Sequence, residues 1–304
     1  MKVCICIPGP LRSFSRCWES ILRCMIKPLE EKVGKGNVKI YMENFHVSEE
    51  FYKKEFDKNM FNTKMEIDTS GWQKILNTSK YIEYSNLYEF RDAYIENIFK
   101  QINEKNETDW DVYDLKKYVM PFQKMEKSGM EFKHYYNFVQ GLCMNYNNKI
   151  LIDKIPNEYD IIIKMRGDTK FIWEFPVVDA LKSKNNFIYT AAGNRWDNFF
   201  WGRANTVKSL YENFFTQAKA IIEFWKLGGI NEKLRLGKKI TMSPEAESHS
   251  NAKYEDWLCA PEGMLLYFIT KQNKKIVRSY FSGSRDWDVE RNLPNGLGSK
   301  YKSK

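Results

Sequence analysis

The fold is first indicated by residues 4–14, which read CICIPGPLRSF. The apolar beginning of this stretch has the length of a buried strand, and a Pro-Gly-Pro turn is expected to end it. From about residue 15 to residue 32, apolar side chains recur every three or four positions, which predicts a helix with one buried face. Residues 37–45, NVKIYMENF, predict a second strand. Strand, helix and strand with short links predict the start of a parallel α/β sheet.

The same reasoning extends this pattern along the chain. Three consecutive isoleucines in 159–168, YDIIIKMRGD, favour a central strand that is covered on both faces. Further strands are predicted at 185–190, 197–202 and 274–281. Helices are predicted at 85–104, 130–155, 204–226 and 260–272. Together they predict an α/β fold with a mostly parallel, Rossmann-like central sheet flanked by helices.

The domain prediction is one large domain over residues 1–294. It includes a helical insertion at about 48–128 and a mobile loop at about 228–252, where the chain becomes polar and irregular. Residues 295–304 are rich in Lys, Gly and Ser and are expected to form a flexible tail.

The charge balance favours anionic partners. The 304 residues carry 48 Lys and Arg against 39 Asp and Glu, a net charge of +9. The lysines are scattered rather than clustered, as on an ordinary solvated surface. We therefore expect no nucleic-acid partner, although a basic nucleic-acid-binding protein stays as an alternative function.

The cysteines and the apolar runs bear on the compartment. Six cysteines occur without the paired spacing of a zinc site, which favours buried thiols in a reducing compartment. No apolar run approaches the roughly 20 residues that span a bilayer, and the first residues do not form a signal peptide. We expect a cytoplasmic protein; its oligomeric state is not indicated.

Candidate site residues follow the predicted strands. Ligands of open α/β sheets bind beyond the carboxyl ends of the strands. Gly9 and Arg12 follow the first strand, Arg166 and Asp168 follow the middle one, and Asp197 lies beside another. Arginine matches phosphate oxygens, and a carboxylate can hold a divalent cation that bridges two phosphates. The pattern predicts a diphosphate site, with a simple salt-bridged loop as the alternative interpretation of Arg166 and Asp168.

Four segments carry a family resemblance. They read, in chain order, IPGPLRSFSRCWESI, YYNFVQGLCMNYNNKILIDKIPNEYDIIIKMRGDTKF, WDNFFWGRANTVKSLYENF and CAPEGMLLYFI. In this order they resemble the signatures of GT-A-type glycosyltransferases of large algal viruses and bacterial surface-polysaccharide clusters, over most of the chain. The resemblance implies transfer of a hexosyl or pentosyl group from a nucleotide sugar, UDP- or GDP-linked, to a glycan hydroxyl. For a viral protein the compartment would be the host cytoplasm.

The resemblance also implies a metal site, but the sequence departs from the family motif at one position. Such enzymes carry an Asp-x-Asp motif that reaches the ribose and a Mn²⁺ or Mg²⁺ ion. Here Arg166 replaces the first acid and only Asp168 remains. A late histidine often completes such a site, which points to His249. Arg166 could itself neutralise part of the diphosphate.

The remaining roles follow from the same resemblance. The loop after the first strand, with Pro8, Gly9 and Arg12, would hold the nucleotide. Independently of the resemblance, Trp196 flanks the candidate edge in the sequence and could offer an aromatic face to a sugar. The catalytic base would come from the first turn of a late helix, where Glu262 stands.

Two substitutes for this base are Asp197 and Asp256. An acid such as Glu262 in a first helical turn is also explained by the helix dipole alone. A sulfo- or phosphotransferase is a further alternative, but the chain lacks the G-x-x-x-x-G-K-[ST] phosphate loop.

Overall fold

The structure is a computed structural model, and it describes residues 1–10, 14–47, 76–78, 81–84, 87–111, 134–192, 198–226, 261–282 and 287–289. Its strands are β1 (Val3–Pro10), β2 (Val38–Val47), β3 (Leu76–Thr78), β4 (Tyr81–Tyr84), β5 (Ile161–Met165), β6 (Thr169–Phe171), β7 (Phe187–Ala192), β8 (Phe199–Arg203), β9 (Lys275–Ser282) and β10 (Trp287–Val289). Its α-helices are α1 (Phe14–Ile21), α2 (Lys27–Val33), α3 (Leu87–Asn106), α4 (His134–Asp153), α5 (Val177–Leu181), α6 (Ala204–Ser209), α7 (Phe214–Lys226) and α8 (Pro261–Lys271), and a π-helical turn, Leu22–Ile26, joins α1 to α2.

The main sheet has eight strands in the order β3, β2, β1, β5, β8, β7 and β9, with β4 also paired to β2. β1 is parallel to β2 and to β5, and β7 is parallel to β9. β8 is antiparallel to both of its neighbours, β5 and β7. The predicted class, an α/β fold with a mostly parallel central sheet flanked by helices, is confirmed.

β1 is longer than the sequence predicted. Its pairing with β2 continues through Pro8, Gly9 and Pro10, opposite residues 43–45. The expected turn at Pro-Gly-Pro is therefore wrong: the strand continues, and Gly9 adopts a positive φ of +95° within it. Proline is tolerated here because in a parallel ladder only alternate N–H groups face a given neighbour.

One face of the sheet is covered by the helical segment that follows β1. Phe14, Cys17, Ile21 and Met25 are completely buried along one side of it, and they pack in the same core as Ile5. The segment ends at Gly34, whose φ is +95° and whose N–H donates to the Glu30 carbonyl at 2.8 Å. The predicted helix from 15 to 32 is thus confirmed, with a π turn in its middle.

Aromatic rings fill the core beneath β5, β6 and β8. Phe175 lies edge-on to Trp201 at 5.3 Å and tilted against Phe199 at 5.6 Å, and Phe171 stacks on Phe281 at 6.0 Å. Such contacts add about 0.5–1.5 kcal/mol each beyond the burial of area. Trp201 is completely buried within this core.

Other elements differ locally from the expectations. The helix predicted at 204–226 is two helices, α6 and α7, separated by a turn at 210–213. β3 and β4 lie inside the range predicted as a helical insertion, 48–128, and pair with β2 of the main sheet. The two-stranded sheet of β6 and β10 was not predicted, because strands of three residues show no periodicity.

The described cysteines agree with the prediction of buried thiols. Cys4, Cys6, Cys17, Cys24 and Cys143 are buried and unbridged. Cys4 and Cys6 are two residues apart in β1, so their side chains lie on the same face of the strand, and their sulfurs are 3.7 Å apart. Burial raises the pKa of the Cys4 thiol well above its ordinary value, so the thiol stays protonated.

The chain divides into two compact units. The first comprises residues 1–90, 147–208 and 274–304, and contains the sheet. The second comprises residues 91–146 and 209–273, where Tyr146 contacts Tyr94, Phe214 and Phe215. The domain over 1–294 stays a prediction, and the predicted loop at 228–252 and tail at 295–304 lie outside the described residues.

In the described part of the chain, no helix combines the length and the apolar character that crossing a membrane requires.

Candidate functional site

The candidate site lies in the first unit, where three strand ends meet at one edge of the sheet. β1 and β5 are parallel neighbours, so their carboxyl ends point the same way. β8 is antiparallel to β5, and Met165 pairs with Phe199, so the residue before β8 lies at this edge as well. Pro8, Gly9, Arg166 and Asn198 therefore share one edge, and Asp168 follows directly.

This edge is also the point where the chain changes direction across the sheet. From β1 the chain passes through α1 and α2 to β2 on one side, while β5 lies on the other side of β1. β1 and β5 thus flank a topological switch point, and the crevice in which open α/β sheets bind their ligands is expected beyond the carboxyl ends of these two strands. Gly9 and Arg166 stand at the ends of the two strands that form it.

Arg166 and Asp168 form a buried, two-pronged ion pair. The Arg166 Nε donates to Asp168 Oδ1 at 2.8 Å, and a terminal guanidinium nitrogen, Nη2, donates to Asp168 Oδ2 at 2.7 Å. The Asp168 side chain is 1% exposed and that of Arg166 is 16% exposed. This parallel arrangement is the strongest geometry for an arginine and a carboxylate, and it holds the guanidinium in one orientation.

A third partner completes the arrangement. The Arg166 Nη1 donates to the Asn198 Oδ1 at 3.2 Å, and Asn198 is itself buried. The sequence analysis missed Asn198, because an asparagine 32 positions away has no local pattern that links it to Arg166. Its position at the start of the strand predicted at 197–202 was the one signal that placed it near this edge.

The turn between β5 and β6 fixes Asp168. The Thr169 N–H donates to the Arg166 carbonyl at 3.3 Å, which closes the turn around Gly167 and Asp168. β6 is anchored from behind, because the Phe171 N–H donates to Ser20 Oγ at 3.0 Å and Ser20 Oγ donates to the Cys17 carbonyl at 2.8 Å. The ion pair is therefore held by the sheet on one side and by α1 on the other.

Gly9 gives the edge an open backbone. Its φ of +95° is a conformation that residues with side chains rarely adopt, and a Cβ built there would meet no atom within 4 Å. The conformation, rather than crowding by the protein, thus requires glycine. Such a position allows a ligand to approach the main chain closely.

Lys164 is a second cation that the sequence analysis missed. It lies two residues before Arg166 in β5, is 2% exposed, and places its ammonium 5.7 Å from the centre of the Phe200 ring. Buried lysines are rare, because removing the charge from water is costly. The sequence analysis gave this lysine no role, although its place in a strand predicted to be covered on both faces was the signal for its burial.

The other predicted site residues are not placed. Arg12, Trp196, Asp197, His249 and Asp256 lie outside the described residues. Glu262 is described only in its backbone, as the second residue of α8 in the second unit. Their roles stay predictions.

The described residues do not fit a divalent metal ion at Asp168. Both of its oxygens accept hydrogen bonds from Arg166 and the side chain is 1% exposed, so a metal ion could reach the remaining lone pairs only if neighbouring groups moved. Among the residues that the structure covers, no group of three or more His, Cys, Asp and Glu could hold a metal. The geometry thus favours the salt-bridge interpretation of this pair over a metal ligand at Asp168.

Comparisons with known proteins were made on sequence and on structure. No protein-family model matches the chain, and no curated protein matches it. Among solved structures, mouse xyloside xylosyltransferase 1 in its apo form aligns with a TM-score of 0.34 and 10% identity, over 91% of this chain and 84% of that one. The apo form of the glycosyltransferase GlyE of Streptococcus pneumoniae aligns with a TM-score of 0.29 and 10% identity, over 91% of this chain and 44% of that one. TM-scores this low do not establish a shared fold or function.

Proposed function

We propose that the chain is a glycosyltransferase that moves a hexosyl or pentosyl group from a UDP- or GDP-linked sugar to a glycan hydroxyl. The observation that carries the proposal is the position of Gly9 and Arg166 at the two strand ends of the switch point. The resemblance of four sequence segments to GT-A-type glycosyltransferases supports the same function. We expect this reaction in the cytoplasm.

In this proposal the diphosphate lies at the edge formed by Pro8 and Gly9. The Gly9 main chain allows phosphate oxygens to approach, and we expect Arg12, three positions further along the sequence, to supply a guanidinium fork. The charge of Arg166 is balanced by Asp168, so its contribution would be a guanidinium donor whose direction is held by Asp168 and Asn198. A cation that is already oriented loses little entropy when it stabilises the leaving diphosphate.

The chemistry needs one proton acceptor. The acceptor hydroxyl loses its proton to a carboxylate while its oxygen forms a bond to the anomeric carbon, and the bond from that carbon to the diphosphate oxygen breaks. The predicted carboxylate is Glu262, with Asp197 and Asp256 as substitutes. The Glu262→Gln variant should keep donor binding while transfer falls by about 10²-fold or more.

Dependence on Mn²⁺ or Mg²⁺ stays a prediction from the resemblance, with Asp168 and His249 as its residues. We instead assign Asp168 the role of holding Arg166. Activity that is undiminished in EDTA would agree with this assignment, whereas activity restored by Mn²⁺ would return Asp168 to the metal.

The test is a thermal-shift titration with UDP, GDP, uridine and guanosine, with and without Mn²⁺. A ligand that binds only the folded state raises its melting temperature. One of the diphosphates should do so, and the uncharged nucleosides should not. If neither diphosphate binds, the proposed donor class is wrong, and strongly salt-dependent binding of nucleic acid would favour the alternative function.

The matched variants are Arg12→Ala and Arg23→Ala, which remove the same charge. Arg23 is exposed on the turn between α1 and α2, away from the strand ends. Arg12→Ala should weaken diphosphate binding by about 1.5–3 kcal/mol, the contribution of hydrogen bonds to a charged group. Arg23→Ala should leave binding unchanged. Equal affinities in the two folded variants would remove Arg12 from the site.

A further inference from the structure

A second site is indicated at the opposite edge of the sheet. A cavity of about 690 Å³ lies in the first unit, lined by residues of the segments 157–160, 182–185 and 203–208. These segments precede β5, precede β7 and follow β8, so the cavity lies at the amino-terminal edge of β5. Because a strand rises about 3.3 Å per residue, Asp160 and Arg166 are about 20 Å apart along the chain. The cavity is therefore separate from the crevice at Gly9 and Arg166.

The charges that line this cavity are unbalanced. Its four cationic side chains are Lys182, Lys184, Arg203 and Lys208, and its single carboxylate is Asp160. The Asp160 Oδ2 accepts the main-chain N–H of Lys2 at 2.7 Å. Within the described segments, none of the four cations lies within ion-pair distance of a carboxylate. An anionic ligand would supply the missing counter-charge.

Two of the four cations are held in place by neutral groups. The Arg203 Nε donates to the Ser183 carbonyl at 2.7 Å, which fixes the guanidinium and leaves its terminal nitrogens without a described protein acceptor. The Lys208 ammonium donates to Asn157 Oδ1 at 2.6 Å and to the Ile155 carbonyl. Arginine whose terminal nitrogens are available is suited to phosphate, because its planar fork matches two oxygens.

The remaining lining is suited to hydroxyl groups. Asn185 and Asn205 contribute side-chain amides, and the Asn205 Oδ1 already accepts the Thr206 N–H at 2.7 Å, so its amide N–H₂ is left to donate. The volume lies within the roughly 300–1,000 Å³ of small-molecule sites. We propose that this cavity binds a small phosphate ester that carries hydroxyl groups, such as a sugar phosphate. This proposal does not depend on the proposed function.

The experiment is isothermal titration calorimetry of the full chain with glucose 6-phosphate, inorganic phosphate and glucose. Glucose 6-phosphate should bind, inorganic phosphate should compete with it more weakly, and glucose should not bind. The Lys182→Gln/Lys184→Gln variant should weaken glucose 6-phosphate binding by about tenfold or more, because it removes two cations that face the ligand. Both side chains are exposed and make no described contact, and the main-chain hydrogen bonds of the two residues, such as that from the Lys184 N–H to the Tyr189 hydroxyl at 3.2 Å, do not involve the side chains, so the fold should be unaffected.

The matched control is Lys27→Gln/Lys32→Gln, which makes the same charge change on the exposed surface of α2. It should leave binding unchanged. Equal weakening in both double variants would show a general charge effect and overturn the proposal, as would no binding of glucose 6-phosphate to the unmodified chain. Binding of UDP or GDP should be the same in both double variants, which separates this test from that of the proposed function.

Phosphate esters also occur on lipid headgroups. The same variants should therefore be sedimented with vesicles of phosphatidylcholine containing phosphatidylserine. No retention supports a soluble ligand. Retention that depends on Lys182 and Lys184, without glucose 6-phosphate binding, would overturn the proposal in favour of a lipid surface.

Discussion

The two edges of the sheet use the same residue types in opposite ways. At the carboxyl edge, where β1 and β5 end, Arg166 is largely buried, and Asp168 balances its charge through two short hydrogen bonds. At the amino edge, the acceptors that the described part of the chain offers Arg203 and Lys208 are neutral oxygens, and the cavity beside them has an excess of positive charge. A buried cation must have a counter-charge within the protein, whereas a solvent-facing cation can leave its counter-charge to a ligand. The comparison predicts different responses to mutation at the two edges.

The largest effect is expected from Arg166→Ala. It leaves the Asp168 carboxylate buried without its partner, and breaking such a pair costs about 3–5 kcal/mol. Urea unfolding of the variant should show this loss in the free energy of unfolding. The double variant Arg166→Met/Asp168→Leu should recover most of it, because no unpaired charge remains. If Arg166→Ala lowers the free energy of unfolding no more than Arg23→Ala does, the carboxyl edge is as tolerant of substitution as the exposed surface.

A smaller effect is expected from Gly9→Ala. A side chain at this positive φ costs about 1–2 kcal/mol in backbone strain. Gly36 is a matched control, because its φ is +90° and a Cβ there would also meet nothing within 4 Å. The two variants should lose similar stability in urea, but only Gly9→Ala should weaken UDP or GDP binding. Equal nucleotide affinity in the two variants would argue against close approach at Gly9.

Asn198→Ala should cost about 1 kcal/mol, the net contribution of a hydrogen bond. The lost contact is the 3.2 Å bond from Arg166, whose pairing with Asp168 remains. Urea unfolding measures the loss, and nucleotide affinity should fall if Asn198 orients the guanidinium. Asn198→Asp tests the same contact by strengthening the acceptor instead of removing it, since an added carboxylate would compete with Asp168 for Arg166. Stability unchanged in both variants would exclude Asn198 from the ion-pair arrangement.

The smallest effect on stability is expected at the amino edge. Lys182→Gln/Lys184→Gln should leave the free energy of unfolding unchanged at physiological salt. At low salt the free energy of unfolding should increase slightly. The variant removes two positive charges that repel Arg203 and Lys208, and this repulsion is screened less at low ionic strength. The comparison of urea transitions at low and high salt measures this. Destabilisation by this variant would mean that the lysines are structural rather than available to a ligand.

The elements of this fold could largely be predicted from local sequence pattern. The helix from Phe14 to Val33 follows from its apolar periodicity, and the strand Ile161–Met165 follows from its run of β-branched residues. Parallel strands then bring Arg166 and Asp168 to the edge where β1 ends, by geometry alone. The extent of β1 was misjudged at Pro8 to Pro10, because proline and glycine usually end a strand and do so less strictly in a parallel ladder.

By itself, then, the sequence determined the longer helices, the central strands and the edge at which the candidate site lies, because these follow from the period of the backbone and the hydrophobic effect. Only the tertiary structure decided that β8 runs antiparallel to β5, that Asn198 contacts Arg166, and that Asp168 is occupied by a guanidinium. It alone brought 157–160, 182–185 and 203–208 around one cavity. The reason is that pairing across the sheet depends on which distant surfaces can be buried together, and no local spacing records that choice.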